Sequence, residues 1–486
     1  MSVALVPSYG GRTRSPTSSL PQSAVAVGVV GGSVALGGLV ALSPKLAIAL
    51  VVLGGVTAVV WRHPAVAAYS LLALTPLLAG LDRGRVVPVL RPNEALVAMF
   101  SGILVARTLL TAPSGWRPRI GLSKVEVALV AMAVTNSVVM LTVMVLRGQR
   151  IEADDISYAL VLWKYLAGYA LIRVAVTEDA QVRRCLWVAM GSAAVVGAIG
   201  VLQALDILGV RALLVGLYAP FGYTGALALP RGGSTLALPA AVADLLVMNL
   251  AVAAGLWWKD RRHGLVLLGL AAIYIGGTFG AAEFSSALGL VVAVLVMTWA
   301  ARKLSLLRYA PFGMVGGVAA LWPVLEHRIA GFQNVSGLPV SWTTRWYNLK
   351  TYFWPDLTAG THPLLGVRPS ARVVAPSQGT GYVWIESGYT WLVWGGGLPL
   401  LLAFVAFVWL GLHALWPRAR DLDHYASIAA LAALVGLVVI AVLMVFDPHL
   451  TYRGSADLFF ALLAMSAVGQ STHSSRRQYT EPKDSP

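Results

Sequence analysis

The amino-acid sequence predicts an all-α, polytopic transmembrane helical bundle of 12–14 spans, with a long, partly helical extracytoplasmic loop. Three observations predict it. The 486 residues are 58% hydrophobic and only 12% charged, about half the charge of a soluble domain. The apolar residues come in blocks of about twenty, the length that crosses a bilayer core as a helix. The basic residues collect in alternate connections, as they do in cytoplasmic loops. Barrel strands would show short alternation instead of long blocks.

Residues 1–22 are polar, carry Arg12 and Arg14, and read as a disordered cytoplasmic tail without a cleavage site. Apolar blocks follow at 24–42, 46–61, 64–81, 94–111, 125–146, 157–176, 185–206, 236–258, 264–280, 284–301, 309–325, 386–412, 424–446 and 455–470. The first two are joined only by Ser43-Pro44-Lys45, the weakest hairpin of the series, and a count of twelve stays open. Spans 1–11 thus occupy 23–325, a long loop 326–385, spans 12–14 residues 386–470, and a second disordered tail 471–486.

Arg62, Arg117, Arg119, Lys124, Arg183, Arg184, Lys259, Arg261, Arg262, Arg302, Lys303, Arg308, Arg418 and Arg420 all fall on one side in this register, with Arg476, Arg477 and Lys483 of the tail. That side is the cytoplasm, so both termini are cytoplasmic in a multi-pass plasma-membrane protein. Arg107 and Arg173 near those ends can snorkel. The net charge of +15 reflects this anchoring rather than a nucleic-acid partner. Cys185 is the single cysteine, which excludes disulfides and cysteine-rich metal sites. No Walker motif, internal repeat or His-Glu-x-x-His is present, and His327, His362 and His449 are scattered. Asp421-Leu422-Asp423 lies on the cytoplasmic side.

The anomaly is a set of outward arginines: Arg83, Arg85, Arg91, Arg147, Arg150, Arg211, Arg231, Arg328, Arg345, Arg368, Arg372 and Arg453. External arginines oppose the orientation rule. A guanidinium fork matches phosphate oxygens and never loses its charge, so a phosphorylated substrate at the outer surface is one reason for them. Pairing with Asp82, Glu152, Asp154, Asp155 and Glu326, or with anionic lipid, is the other. Glu152-Ala153-Asp154-Asp155 suits a divalent ion, or pairing with Arg147 and Arg150. Lys164, inside the sixth span, faces a cavity or pairs with Asp244. In the long loop, Trp342, Trp346, Leu349 and Phe353 share one helical face, with Ser341 as N-cap and Pro355 as the stop. Such an aromatic face anchors at the interface or stacks on sugars.

Three segments carry a resemblance. They are Arg231-Gly232-Gly233-Ser234-Thr235-Leu236 with Pro239; Arg345-Trp346 followed by His362-Pro363-Leu364-Leu365-Gly366-Val367; and Glu386-Ser387-Gly388-Tyr389 followed by Gly395-Gly396-Gly397-Leu398-Pro399-Leu400-Leu401. Together they resemble the O-antigen polymerase and ligase family, membrane glycosyltransferases of the C type that handle undecaprenyl-diphosphate-linked sugars. The likeness runs over about residues 70–465 in hydropathy and loop order. Glu386 stands where that family has a His, and Glu283-Phe284-Ser285-Ser286 replaces its Ser-Arg pair.

The resemblance implies polymerisation or ligation of a lipid-linked oligosaccharide at the outer face of the plasma membrane, in cell-envelope polysaccharide biosynthesis. It implies no metal and no cofactor. Its implied partners are the lipid-linked substrate, membrane lipid, a flippase and a chain-length regulator. Arg231 and Arg345 are then expected on the diphosphate, with Arg368 in support. Glu386 is the expected base, and Lys164, Trp346 and Tyr389 line the substrate path. The alternative is a flippase for the same lipid-linked oligosaccharide.

Overall fold

The computed structural model describes residues 44–84, 90–111, 122–218, 225–320, 322, 326, 340–375 and 381–469. The span expected at 24–42, both tails, the expected outward Arg85 and Arg328, His327, and cytoplasmic Arg117 and Arg119 lie outside them. The apolar blocks become helices: α1 Pro44–Arg62, α2 Ala65–Leu78, α3 Pro92–Thr111, α4 Lys124–Leu146, α5 Ala153–Ala175 and α6 Asp179–Leu205. A short α7, Val210–Leu217, precedes α8 Pro239–Lys259, α9 Gly264–Gly280, α10 Phe284–Ala300 and α11 Ala310–Ala320. After α12, Val340–Asn348, come α13 Gly388–Ala419, α14 Tyr425–Leu443 and α15 Ser455–Met465. Among the described residues, eight helices are long and apolar enough to cross a membrane: α3, α4, α5, α6, α8, α9 (counted from Arg261), α13 and α14. The protein is therefore all-α and polytopic in form.

The central helices are α8 and α14, apolar on every side and almost wholly buried. They pack on each other, with α9, α10 and α6 around α8 and with α13, α10 and α15 around α14. Local chemistry sets the helix starts. Ser123 and Glu126 form a reciprocal capping box on α4, and Ser387 Oγ accepts from Thr390 N at the start of α13. Asp179 accepts from Tyr425 N and Ala426 N at 3.1 and 2.9 Å, tying α6 to α14 at one end of the bundle. The other end carries the 340–375 segment and is called the loop end below.

At the loop end two of the family-like segments lock together. Val367 N donates to Trp394 O at 2.7 Å. Gly397 breaks α13 with φ +66°, and a Cβ there would collide with Leu364 O. The Arg231 segment is equally tight. Gly232 N donates to Gly280 O at 2.8 Å, and a Cβ on Gly232 would lie 2.9 Å from Gly200 O. Ser234 N and Oγ bond Gln203 and Val196 O, and Thr235 Oγ1 bonds Pro76 O.

The long loop differs from expectation in three ways. Helix α12 already includes Ser341, which therefore lies inside the helix rather than capping it. A π-helical turn, Leu349–Phe353, follows α12 and rotates the apolar stripe. Leu349 and Phe353 are buried, whereas Trp346 is 60% exposed. Pro355 does not end the helix but opens a further turn, Trp354–Leu357, where its missing N–H is harmless. A two-stranded ribbon, β1 Arg372–Val374 and β2 Tyr382–Trp384, pairs Val373 with Val383.

Candidate functional site

Four connections meet at the loop end and assemble one polar cluster. The turn before α8 supplies Arg231, and the α9–α10 connection supplies Glu283, with Arg231 Nη2 3.2 Å from Glu283 Oε1. Helix α12 supplies Arg345. Its Nη2 lies 2.8 Å from Asp447 Oδ2, in the α14–α15 connection, and its Nε lies 3.8 Å from Glu386 Oε1, just before α13. Asn348, one turn after Arg345, donates to Glu386 Oε2 at 3.2 Å. The two halves are one electrostatic unit, because Glu283 acts on Arg345, Glu386 and Asp447 alike. Arg231 and Arg345, distant in sequence, therefore border a common set of carboxylates.

Behind them His449 Nδ1 sits 2.7 Å from Asp244 Oδ2 of α8. His449 is 1% exposed, and its Nε2 has no hydrogen-bond partner. Arg231 Nε and Asn348 Oδ1 are likewise buried without partners. Buried polar atoms left unpaired cost about 1–3 kcal/mol each, so the cluster holds unused donor and acceptor capacity.

Burial dominates its titration. It pushes the Glu386 carboxyl up, against the pull of Arg345 and the Asn348 hydrogen bond. It drives Asp447 up to about 7, with Glu283 and Glu386 adding and Arg345 and His449 opposing. The Glu386 side chain remains 33% exposed, so it is the carboxylate of this pair that a solute can touch. Arg345 is held charged: burial opposes its charge, but Asp447 and Glu386 outweigh that.

The remaining sequence candidates lie elsewhere. Arg368 forms a bidentate pair with Asp155, Nε–Oδ1 2.9 Å and Nη2–Oδ2 2.6 Å, and reaches Glu152 at 3.5 Å. Arg372 pairs with Asp154. The acidic run thus pairs with Arg368 and Arg372, not with Arg147, which donates instead to Gly366 O and Thr361 Oγ1 at 2.6 and 2.9 Å. The helix-packed loop brings Arg368 to that run, which leaves it outside the Arg231–Arg345 cluster. Lys164 pairs with Asp457 of α15 at 3.3 Å, not with Asp244, because α5 packs on α15. Tyr389 OH donates to Ala441 O at 2.7 Å, joining α13 to α14. Trp346 stacks edge-on against Trp354, 4.8 Å between centroids. No group of three His, Cys, Asp or Glu among the described residues is placed to hold a metal ion.

Sequence reasoning missed Asp447 altogether and left His449 as an isolated residue. Asp447-Pro448-His449 between two apolar blocks was the available signal, since charge beside a span needs a partner. The sequence matches no protein-family model and no curated protein. The functional reading therefore stands on the cluster and on the three family-like segments.

Proposed function

We propose that the chain is a membrane glycosyltransferase of the O-antigen polymerase and ligase kind, acting on a lipid-diphosphate-linked oligosaccharide at the outer face of the plasma membrane. The observation that carries this reading is convergence. Arg231, Arg345 and Glu386 come one from each family-like segment and meet at one polar cluster.

The reaction follows from the charges. An acceptor hydroxyl attacks the anomeric carbon of the donor sugar and forms the new C–O bond. Its proton passes to the Glu386 carboxylate. The bond between the anomeric carbon and the diphosphate oxygen breaks, and the lipid diphosphate leaves with the electron pair. Fixed guanidinium groups stabilise the charge growing on that leaving group. Arg345 and Arg231 each keep part of their surface open, at 22% and 24% side-chain exposure, so each can add phosphate oxygens to its carboxylate partner. A base with a raised pKa is better matched to taking up a proton near neutral pH.

The test is purified protein in detergent given a lipid-linked oligosaccharide as both donor and acceptor. Longer lipid-linked chains support the enzyme. A second reading, a flippase, draws on Asp447 titrating near neutrality beside His449, which suits proton coupling. It predicts movement of the intact lipid across proteoliposomes with no change in chain length.

A further inference from the structure

The Arg231–Arg345 cluster carries more acid than base. Asp244, Glu283, Glu386 and Asp447 are tied by contact or by charge to Arg231, Arg345 and His449. The acids outnumber the bases, so the set is anionic even with the His449 imidazole charged. The Tyr452 ring, 4.7 Å from that of His449, faces the same groups and adds no positive charge. Arg345 already divides its charge between Asp447 at 2.8 Å and Glu386 at 3.8 Å. A diphosphate brought to this guanidinium lands beside both carboxylates. Like charges a few ångströms apart repel strongly where water is scarce, so the set has to shed negative charge as the anion enters.

Asp447 is the carboxylate placed to take up a proton. Its side chain is 12% exposed against 33% for Glu386, so water supports its charge less. Its main support is Arg345 Nη2, and that is the contact phosphate oxygens compete for. Burial already holds Asp447 at about 7, within reach of neutral solution. Glu283 and Glu386 push it the same way, while Arg345 and His449 oppose them. His449 Nδ1 is taken by Asp244 of α8 at 2.7 Å. A protonated Asp447 gains an O–H, for which phosphate oxygens on the same guanidinium are acceptors. Glu386 keeps its charge in this arrangement, as a base requires.

We propose that Asp447 is the charge-compensating residue of this site: it takes up a proton from solution as a diphosphate binds Arg345, and so leaves Glu386 ionised. This rests on the reading in which the cluster holds the diphosphate of a lipid-linked sugar. Asp447 acts through Arg345 and is a positioning residue.

The probe is a diphosphate esterified at both ends, with one geranyl and one methyl group. It has no sugar to transfer, and as a diester it lacks the second phosphate ionisation at about 6. Titration calorimetry of the purified protein in detergent, at about pH 8 and in two buffers of different ionisation heat, counts the protons taken up. The wild type should take up about one proton per diester, and its affinity should fall about tenfold per pH unit above the Asp447 value. Asp447→Asn, neutral and of the same shape, should take up almost none and bind with little dependence on pH. Glu386→Gln should still take up protons. Wild-type binding without proton uptake overturns the proposal and leaves the diphosphate site standing. Uptake abolished in Glu386→Gln, or unchanged in Asp447→Asn, assigns the proton elsewhere and overturns it as well. No binding of the diester at any pH overturns the diphosphate reading together with the proposal. Binding with uptake in a protein that never lengthens a chain overturns only the enzyme reading.

Discussion

Arg345 holds Asp447 at 2.8 Å through Nη2, and the same guanidinium presents Nε to Glu386 at 3.8 Å. One side chain from the long loop thereby ties the end of α14 to the start of α13. It also places a charged guanidinium directly beside the most accessible carboxylate of the cluster. On the proposed function, gripping a leaving diphosphate and accepting a proton would fall to these neighbouring groups.

Replacing Arg345 by Ala should lower chain growth by about 100-fold or more, the cost of losing one preorganised charge donor. Arg345→Lys should fall between, because an ammonium keeps the charge but not the fork. Polymer length on gels from purified protein reads both. A full rate in Arg345→Ala removes this residue from the mechanism.

The pH dependence of stability should carry the signature of Asp447. Its folded value of about 7 exceeds the ordinary 3.8. Between those values the folded protein holds a proton that the unfolded chain has released. Stability from this group is therefore full at low pH and is lost as pH rises through about 7. Asp447→Asn should flatten that part of a plot of Tm against pH in detergent, and an unchanged slope would remove Asp447 as its source.

His449→Ala should destabilise the bundle strongly, since it leaves Asp244 buried without its partner. Losing one member of a buried pair costs about 3–5 kcal/mol. Adding Asp244→Asn to that variant should restore part of the loss. Thermal unfolding of the two variants in one detergent separates the outcomes, and an unchanged Tm in His449→Ala would show that the pair contributes no stability.

Gly397→Ala should cost about 1–3 kcal/mol, from a left-handed backbone and the collision with Leu364 O. Gly54→Ala, where nothing lies within 4 Å, is the control and should leave Tm unchanged. Equal Tm values for both would mean that the loop does not press on α13 in solution.

The helices were legible because each apolar block is contiguous and its length is set by the bilayer. The block at 185–206 appears as Asp179–Leu205, starting earlier because polar Asp179 belongs to the first turn. Arg231 and Arg345 were legible through their motif neighbours. Glu283, Asp447 and His449 were not, because each sits in a short connection and gains its meaning only from a contact distant in sequence. The partner of Lys164 illustrates the limit. Asp244 and Asp457 both lie near the loop-end start of their helices, and only the packing of α5 on α15 selects Asp457. Pro355 was misread because a proline that ends one helix is equally at home in the first turn of the next.

The most direct test counts both products of a single turnover. Purified protein is mixed with a lipid-linked oligosaccharide, and released polyprenyl diphosphate and lengthened chains are measured for the wild type and for Glu386→Gln. The account predicts the two products in equal amounts from the wild type and at least about 100-fold less of each from Glu386→Gln, the loss expected for a missing general base. Wild-type protein that releases no polyprenyl diphosphate, or Glu386→Gln protein that matches the wild type, would contradict it.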